Sequence, residues 1–432
     1  MTLAQILSVV VFAGAYVLIA TEWVHRVAAA LGGAGLMLLL RFNDGPTAFH
    51  SDEAGIDWNV IFLLLGMMLI VGVVKRTGLF EYLAIRSAKL ARGRPYPLLA
   101  LLVVITAVAS ALLDNVTTVL LVAPVTFQVC GRLGLKAAPY LIAEVLASNI
   151  GGTATLIGDP PNIIVASRAG LDFNDFLINL GPFVLVLLLV FIGVCRWLFR
   201  DAFRSDPERV AEVMQLRERD AIRNKTLLIQ SLVTLGLVLI AFMLHTVLGT
   251  EPSEVALLGA GLLVLISRVT TQDAVSEVEW ETLVFFMGLF VMVGALVHTG
   301  VIEVLGRQLT ELTSGHLLFA AMLLLVVSAL LSGIVDNIPF VATMAPLVAE
   351  LVGAAGNTPQ AQGLWWALTL GADLGGNMTA VGASANVVAL GLAARNGTTI
   401  TFWEFTRYGI VVTVLSLILA VPYVWLRFFA LA

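Results

Sequence analysis

Four aspartates interrupt segments of this chain that are otherwise apolar. Asp114 and Asp336 each precede an asparagine, in LLDNVTTVLLVAPV (112–125) and IVDNIPFVATMAPL (334–347). Asp159 stands in SNIGGTATLIGDPPNIIVA (148–166) and Asp373 in ADLGGNMTAVGASANVVAL (372–390). Carboxylates are costly in apolar surroundings, so an aspartate kept at membrane depth is a candidate for binding a cation or exchanging a proton. Asp114, Asp159, Asp336 and Asp373 are therefore the expected proton-coupling groups. For Asp114 and Asp336 the competing reading is a helix cap, in which a carboxylate satisfies orphan backbone amides.

Amides and hydroxyls gather around these carboxylates. Asn115, Thr117 and Thr118 follow Asp114, and Asn337 follows Asp336. Gly152, Thr153, Thr155 and Asn162 surround Asp159, while Asn377, Thr379 and Asn386 follow Asp373. Such groups either hold helices together or line a polar cavity, and we take them as the candidate substrate-binding set. No Lys or Arg falls in any of the four blocks. A dicarboxylate or phosphate would want a fixed cation there, unless co-transported Na⁺ or helix N-termini supplied the charge. The set better suits a neutral polyhydroxy solute, a proton or a metal cation. Cys130 and Cys195 lie far apart and form no CxxC or Cys/His cluster, so no thiolate metal site is expected. No cofactor is implied.

The elements that must position these residues are membrane helices. Of 432 residues, 59% are hydrophobic and only 12% charged, with a mean hydropathy of +0.98. A soluble domain would carry about 25% charged residues, so the excess apolar surface must face lipid. The run from Leu3 to Ala20 has no preceding basic residue and no small-residue cleavage site, and reads as an uncleaved first span. The net charge of -5 decides little, because placement of Lys and Arg governs membrane topology.

An internal duplication orders the chain. DWNVIFLLLGMMLIVGVVKRTGLFE (57–81) matches EWETLVFFMGLFVMVGALVHTGVIE (279–303), pairing Trp58 with Trp280 and Gly66 with Gly288. The two Asp-Asn blocks match each other, as do the two Gly-Gly blocks. Within that pairing Asp159 and Asp373 break the symmetry, since their counterparts are Ala383 and Asn149. Gly151-Gly152 weakens a helix and Pro160-Pro161 cannot continue one, so 140–166 is expected to be a broken helix, as is 364–394. Segments 97–127 and 317–348 are expected to be re-entrant hairpins with their Asp-Asn at the tip. Irregular backbone at membrane depth is tolerated only where it lines a cavity or is buried in protein.

The expected fold is an all-α polytopic membrane protein of two inverted repeats, each with five transmembrane spans, one re-entrant hairpin and one broken helix. The repeats occupy 1–197 and 226–432, joined by a connector at 198–225. With the basic segments 75–94 and 196–225 in the cytoplasm, every Lys and Arg of the 24 lies inside except Arg41, Arg168, Arg307 and Arg427. This puts both termini outside and the connector in the cytoplasm, where PERVAEVMQLRERDAIRNK (207–225) reads as a solvated helix. The odd number of spans per half requires inversion.

DNVTTVLLVAPVTF followed by ASNIGGTATLIGDPPNIIVAS resembles the arsenite/antimonite efflux permeases (ArsB-type) and the P-protein branch of the ion transporter superfamily. The resemblance spans essentially the whole chain. It implies hairpins and broken helices in inverted repeats, an elevator-like motion and a scaffold able to form a homodimer. Relatives of this pattern export arsenite and antimonite, exchange Na⁺ for H⁺, move silicic acid or carry dicarboxylates. The dicarboxylate branch carries Ser-Asn-Thr at its hairpin tips, where this chain has Asp-Asn-Val-Thr and Asp-Asn-Ile-Pro.

The expectation is a secondary transporter of the cytoplasmic (inner) membrane that exports arsenite or antimonite as the neutral trivalent hydroxide in exchange for protons. A Na⁺/H⁺ antiporter using the same carboxylates is the principal rival, and a carrier of another small anion or neutral hydroxide is a further one. A channel, or an intramembrane aspartyl protease built on two of the aspartates, are rivals of other classes. The sequence before Asp159 lacks the first Gly of the GxGD pattern that such proteases carry. No nucleotide-binding motif is present, so ATP-driven export would need a separate soluble ATPase subunit. Expected partners are a small inorganic substrate, protons or Na⁺, and lipid, with no nucleic acid.

Overall fold

The computed structural model describes all residues except 1, 22, 52–53, 204–209, 211–213, 215–216, 313–315, 432 and the side chain of residue 312. Part of the expected connector helix lies outside the described residues. What is described of 207–225 is Val210 and Met214, both helical, and residues 217–225, which include the 3₁₀ turn Glu218–Ala221. No strand occurs among the described residues.

The first repeat contains α1 (Leu3–Thr21), α2 (Arg26–Leu39), α3 (Trp58–Lys75), α4 (Leu79–Leu90), α5 (Pro95–Leu112), α6 (Asn115–Leu133), α7 (Ala137–Gly152), α8 (Pro160–Ala169) and α9 (Gly181–Leu198). The second contains α10 (Lys225–Met243), α11 (Pro252–Ser267), α12 (Trp280–His298), α13 (Val301–Leu312), α14 (Leu317–Ser332), α15 (Asn337–Ala354), α16 (Pro359–Gly375), α17 (Ser384–Arg395) and α18 (Phe402–Trp425). Each helix thus has its counterpart nine labels later. Among the described residues nine helices are long and apolar enough to cross a membrane, and α2, α11 and α14 are shorter apolar helices.

The packing obeys the same exchange. Helix α3 lies against α11, and its counterpart α12 lies against α2. The pair α5 and α7 is matched by α14 and α16, and the cross-repeat pair α8 and α15 by α17 and α6. Exchanging the repeats maps each of these contacts onto another, so the sequence duplication is also a structural pseudo-twofold. Two inverted repeats, each of five spans, a hairpin and a broken helix, follow from this arrangement.

Small residues allow the closest approaches. A Cβ on Gly151 of α7 would lie 2.2 Å from the carbonyl oxygen of Ala107 on α5, and one on Gly375 of α16 would lie 2.4 Å from that of Ala329 on α14. The driving force between apolar helices in lipid is van der Waals contact, and glycine brings the backbones near enough to use it. Each broken helix is therefore clamped against one arm of its own hairpin.

Local chemistry sets where helices begin. Asp114 caps α6 by accepting from the Thr117 amide at 2.8 Å, and Asp336 caps α15 by accepting from the Ile338 amide at 3.0 Å. Pro160 and Pro161 open α8, where the missing N–H groups would have been orphans anyway. On the cytoplasm-assigned face Lys89 pairs with Glu218 at 2.7 Å and Arg223 with Glu81 at 3.0 Å, holding the described end of the connector to α4.

Candidate functional site

The hairpins end at Asp114 and Asp336, and the broken helices open at 153–159 and 376–383. All four breaks meet in the middle of the molecule, and their polar side chains form one buried network. Asp159 is 1% exposed and accepts from both hairpin tips. Asn115 Nδ2 reaches it at 2.9 Å, and Asn337 Nδ2 at 3.3 and 3.4 Å to its two oxygens. Asn115 also donates to Asn149 Oδ1 at 3.3 Å. Asn149 in turn donates to Asn377 Oδ1 and Asn386 Oδ1, both at 3.0 Å, which carries the network into the second repeat.

Asn162 and Asn386 perform equivalent tasks. Asn162 Nδ2 donates to the carbonyls of Gly152 and Thr155 at 3.2 and 2.9 Å, and Asn386 Nδ2 to those of Gly376 and Thr379, both at 2.8 Å. Carbonyls freed where a helix unwinds need donors at membrane depth, and these two asparagines supply them. Thr155 and Thr379 tie each loop to its hairpin, donating to the carbonyls of Ala111 at 2.5 Å and Gly333 at 2.6 Å. Thr153 donates to the Asn149 carbonyl at 2.9 Å.

Asp373 is wholly buried beside Asp159 and faces Thr153 and Asn162. Neither of its oxygens has a hydrogen-bond partner among the described residues. Asn162 Oδ1 and Asn377 Nδ2 are likewise buried and unpartnered.

The expected residues thus fall into groups. Asn115, Asn337 and Asp159 come together, as do Asn377 and Asn386 on Asn149, and Asp373 with Thr153 and Asn162. Gly152 contributes its carbonyl. Asp114 and Asp336 are half-buried and both act as caps, with Thr117 one turn into α6. Thr118 is buried and its hydroxyl has no partner among the described residues.

Beside the network lies a cavity of about 790 Å³ between the start of α12 and the start of α17. Arg26, Glu279, Thr282, Phe285, Asp336 and Ser384 line it, with apolar residues from both hairpin tips and the end of α1. Arg26 Nη1 donates to Ser384 Oγ at 3.0 Å, and that hydroxyl donates to Asp336 Oδ2 at 2.5 Å. A cation from α2 therefore stands at the second hairpin tip. The composition of the blocks could not reveal it, because it comes from an element 310 positions away, the separation of Arg26 and Asp336. Asn149 was also absent from the expected lining. Its signal was present in the repeat alignment, where it is the counterpart of Asp373.

One further buried carboxylate stands apart. Glu144 on α7 accepts from Thr126 Oγ1 at 2.6 Å and leaves its second oxygen without a partner among the described residues.

Known proteins resemble this chain both in sequence and in fold. The model of the citrate transporter family, CitMHS, matches residues 16–371. A 46 kDa membrane protein of Mycobacterium leprae is 56% identical over 428 residues, covering 99% of this chain and 100% of that protein. An uncharacterised transporter of Mycobacterium tuberculosis is also 56% identical, with 99% of both chains covered. The human P protein is 34% identical over 94% of this chain, which spans 58% of that longer protein. Among solved structures, the YdaH transporter of Alcanivorax borkumensis superposes with a TM-score of 0.64 over 95% of this chain and 98% of its own, at 14% identity, a likeness of fold. The ArsB-type assignment within the superfamily is finer than these matches reach. By the extent of the family match and the identity of its full-length relatives, the chain is a membrane transporter belonging to the citrate transporter (CitMHS) family of the ion transporter superfamily.

Proposed function

We propose that this transporter exports a small neutral hydroxylated solute, arsenite or antimonite as the trivalent hydroxide, in exchange for protons. The observation that carries this reading is the centre itself. Carboxylates, asparagine amides and freed carbonyls fill it, and Arg26 reaches only its edge. A pyramidal hydroxide offers three hydroxyls that donate to carboxylates and accept from amides, without needing a fixed cation. No cysteine stands among the described residues of the centre, which suits release, since thiolates would hold trivalent arsenic tightly.

Coupling would run through the buried aspartates. Moving one charge through the membrane potential is worth about 2.3 kcal/mol per 100 mV, so one proton entering per neutral solute leaving drives export uphill. The site residues in this reading are Asn115, Asn337, Asn377 and Asn386 with Thr153 and Asn162 for the solute, and the four aspartates for the proton. The cavity would face the cytoplasm, where the charge distribution puts the starts of α2 and α12.

A second reading has its own observation. Arg26 in the cavity wall could pair with a carboxylate, and the family description names citrate. The cargo would then be a small carboxylate anion bound at the second hairpin tip rather than in the centre.

Everted vesicles at imposed pH gradients, with and without sodium, separate these. Arsenite accumulation that follows the pH gradient and ignores sodium supports the proposal. Citrate accumulation lost in Arg26→Gln, with no arsenite movement, supports the second reading and removes the first. Sodium-dependent collapse of the gradient with neither solute moving would make the cation the cargo.

A further inference from the structure

Asp373 and Asn149 occupy the same place in the two repeats, and each faces the broken-helix loop of the other repeat. Asn149 faces Asn377 and Asn386. Asp373 faces the counterparts of those two residues, Thr153 and Asn162. In the first case the contact is satisfied, because Asn149 Nδ2 supplies two N–H donors to two amide oxygens.

In the second case the neighbouring donors are committed to backbone carbonyls. Asn162 Nδ2 has two hydrogens, and both are spent on the Gly152 and Thr155 carbonyls. Those carbonyls fix the orientation of the amide, so its Oδ1 is the atom left over. The single hydrogen of Thr153 is spent on the Asn149 carbonyl. Both carboxylate oxygens of Asp373 and the amide oxygen of Asn162 are thus buried without a hydrogen-bond partner among the described residues. Buried polar groups in folded proteins are satisfied with few exceptions, and each exception needs a cause. One proton supplies what is missing.

We infer that Asp373 is the proton-binding group of this transporter in the conformation described, its carboxyl O–H donating to Asn162 Oδ1 as Asn149 Nδ2–H donates to Asn386 Oδ1. Asp159 has the opposite character. It holds amide donors from both hairpin tips and so has hydrogen-bond partners where Asp373 has none. The two neighbours differ in their contacts: Asp159 organises the tips, and Asp373 is the one left without a hydrogen-bond partner. The other ionisable groups on the packed helices turn elsewhere. Asp336 accepts from Ser384, Glu144 from Thr126, and Glu404 and Arg407 of α18 are exposed. This assignment rests on the proton-coupled reading above but not on any choice of cargo.

The test is infrared difference spectroscopy of the full chain in lipid at neutral pH, in sodium-free buffer. With Glu144→Gln as the background throughout, which removes the other buried carboxyl with an unpartnered oxygen, the protein should show the C=O stretch of a protonated carboxylic acid, and adding Asp373→Asn should abolish it. Asp159→Asn should keep it. Asp373→Asn should also fold with undiminished thermal stability, because its amide recreates the Asn149 contact, and Asn149→Asp should gain a second protonated band. A band that survives in Asp373→Asn, or a variant that no longer folds, would overturn the inference. So would the absence of any such band from the Glu144→Gln background. Since no solute is present, failure here is distinct from failure of the arsenite assay.

Discussion

Ser167 of α8 donates a hydrogen bond to the carboxylate of Asp57 at the start of α3. The repeat-related place, between α17 and the start of α12 at Glu279, is the cavity instead. One repeat-related seam is closed and the other open, which is how inverted repeats generate two access states from one architecture.

If the Asp57–Ser167 contact closes one face, joining these positions covalently will trap the state. The double variant Asp57→Cys/Ser167→Cys should crosslink readily, since the native Cys130 and Cys195 are both buried and unpaired. Transport should fall to background on oxidation and recover on reduction. Labelling of a cysteine introduced by Ser384→Cys should persist in the locked protein. Undiminished transport after complete crosslinking would show that this seam does not open in the cycle.

Much of this arrangement is readable in the sequence, for definite reasons. Gly-Gly and Pro-Pro in otherwise apolar segments can only mean broken helices, and the duplicated Asp-Asn blocks locate the hairpin tips. The roles of Asp114 and Asp336 were open between cap and site, and the backbone amides of Thr117 and Ile338 bond to both as caps. Arg26, Glu279 and Ser384 could not be read, because they converge from three distant elements and no local pattern marks them. Asn149 lay in view as the partner of Asp373, yet its donors matter only once Asn377 and Asn386 are known to face it.

The glycine contacts predict an asymmetric response to one methyl group. Gly151→Ala places a carbon 2.2 Å from the Ala107 carbonyl, and that backbone cannot yield without moving the hairpin arm. A loss of about 1–3 kcal/mol is expected from such overpacking, read as a lower unfolding midpoint in detergent. Gly131→Ala on α6 meets nothing within 4 Å and should be neutral, or stabilising by about 0.5–1 kcal/mol from helix propensity.

Acid should release the connector before it affects the helices. Lys89 holds the Glu218 carboxyl below its usual range, with its own backbone contact adding to the effect. A carboxylate with a depressed folded value stabilises above its ordinary pKa, and that stabilisation is lost as pH falls through the folded value. Amide exchange over 218–221, corrected for the intrinsic rate, should therefore accelerate on acidification from neutral pH. In Glu218→Gln it should already be fast at neutral pH and change little. Equal acid sensitivity in both proteins would place the titrating group elsewhere.

Asp159 should be the residue whose loss costs most at the centre. Its two oxygens are the acceptors for amides from both hairpin tips, and Asp159→Ala leaves Asn337 Nδ2 with no partner and Asn115 with one fewer. Each buried donor left unsatisfied costs about 1–3 kcal/mol, so a fall in stability of about 2–5 kcal/mol is expected. Asp159→Asn keeps one acceptor and should lose less, while pH-driven transport disappears in both. The comparison separates architecture from coupling, because asparagine matches aspartate in size and shape while losing the charge and one acceptor oxygen. Should Asp159→Asn transport with the pH dependence of wild type, the Asp159 carboxyl would have no part in coupling, and its place at the hairpin tips would be structural alone.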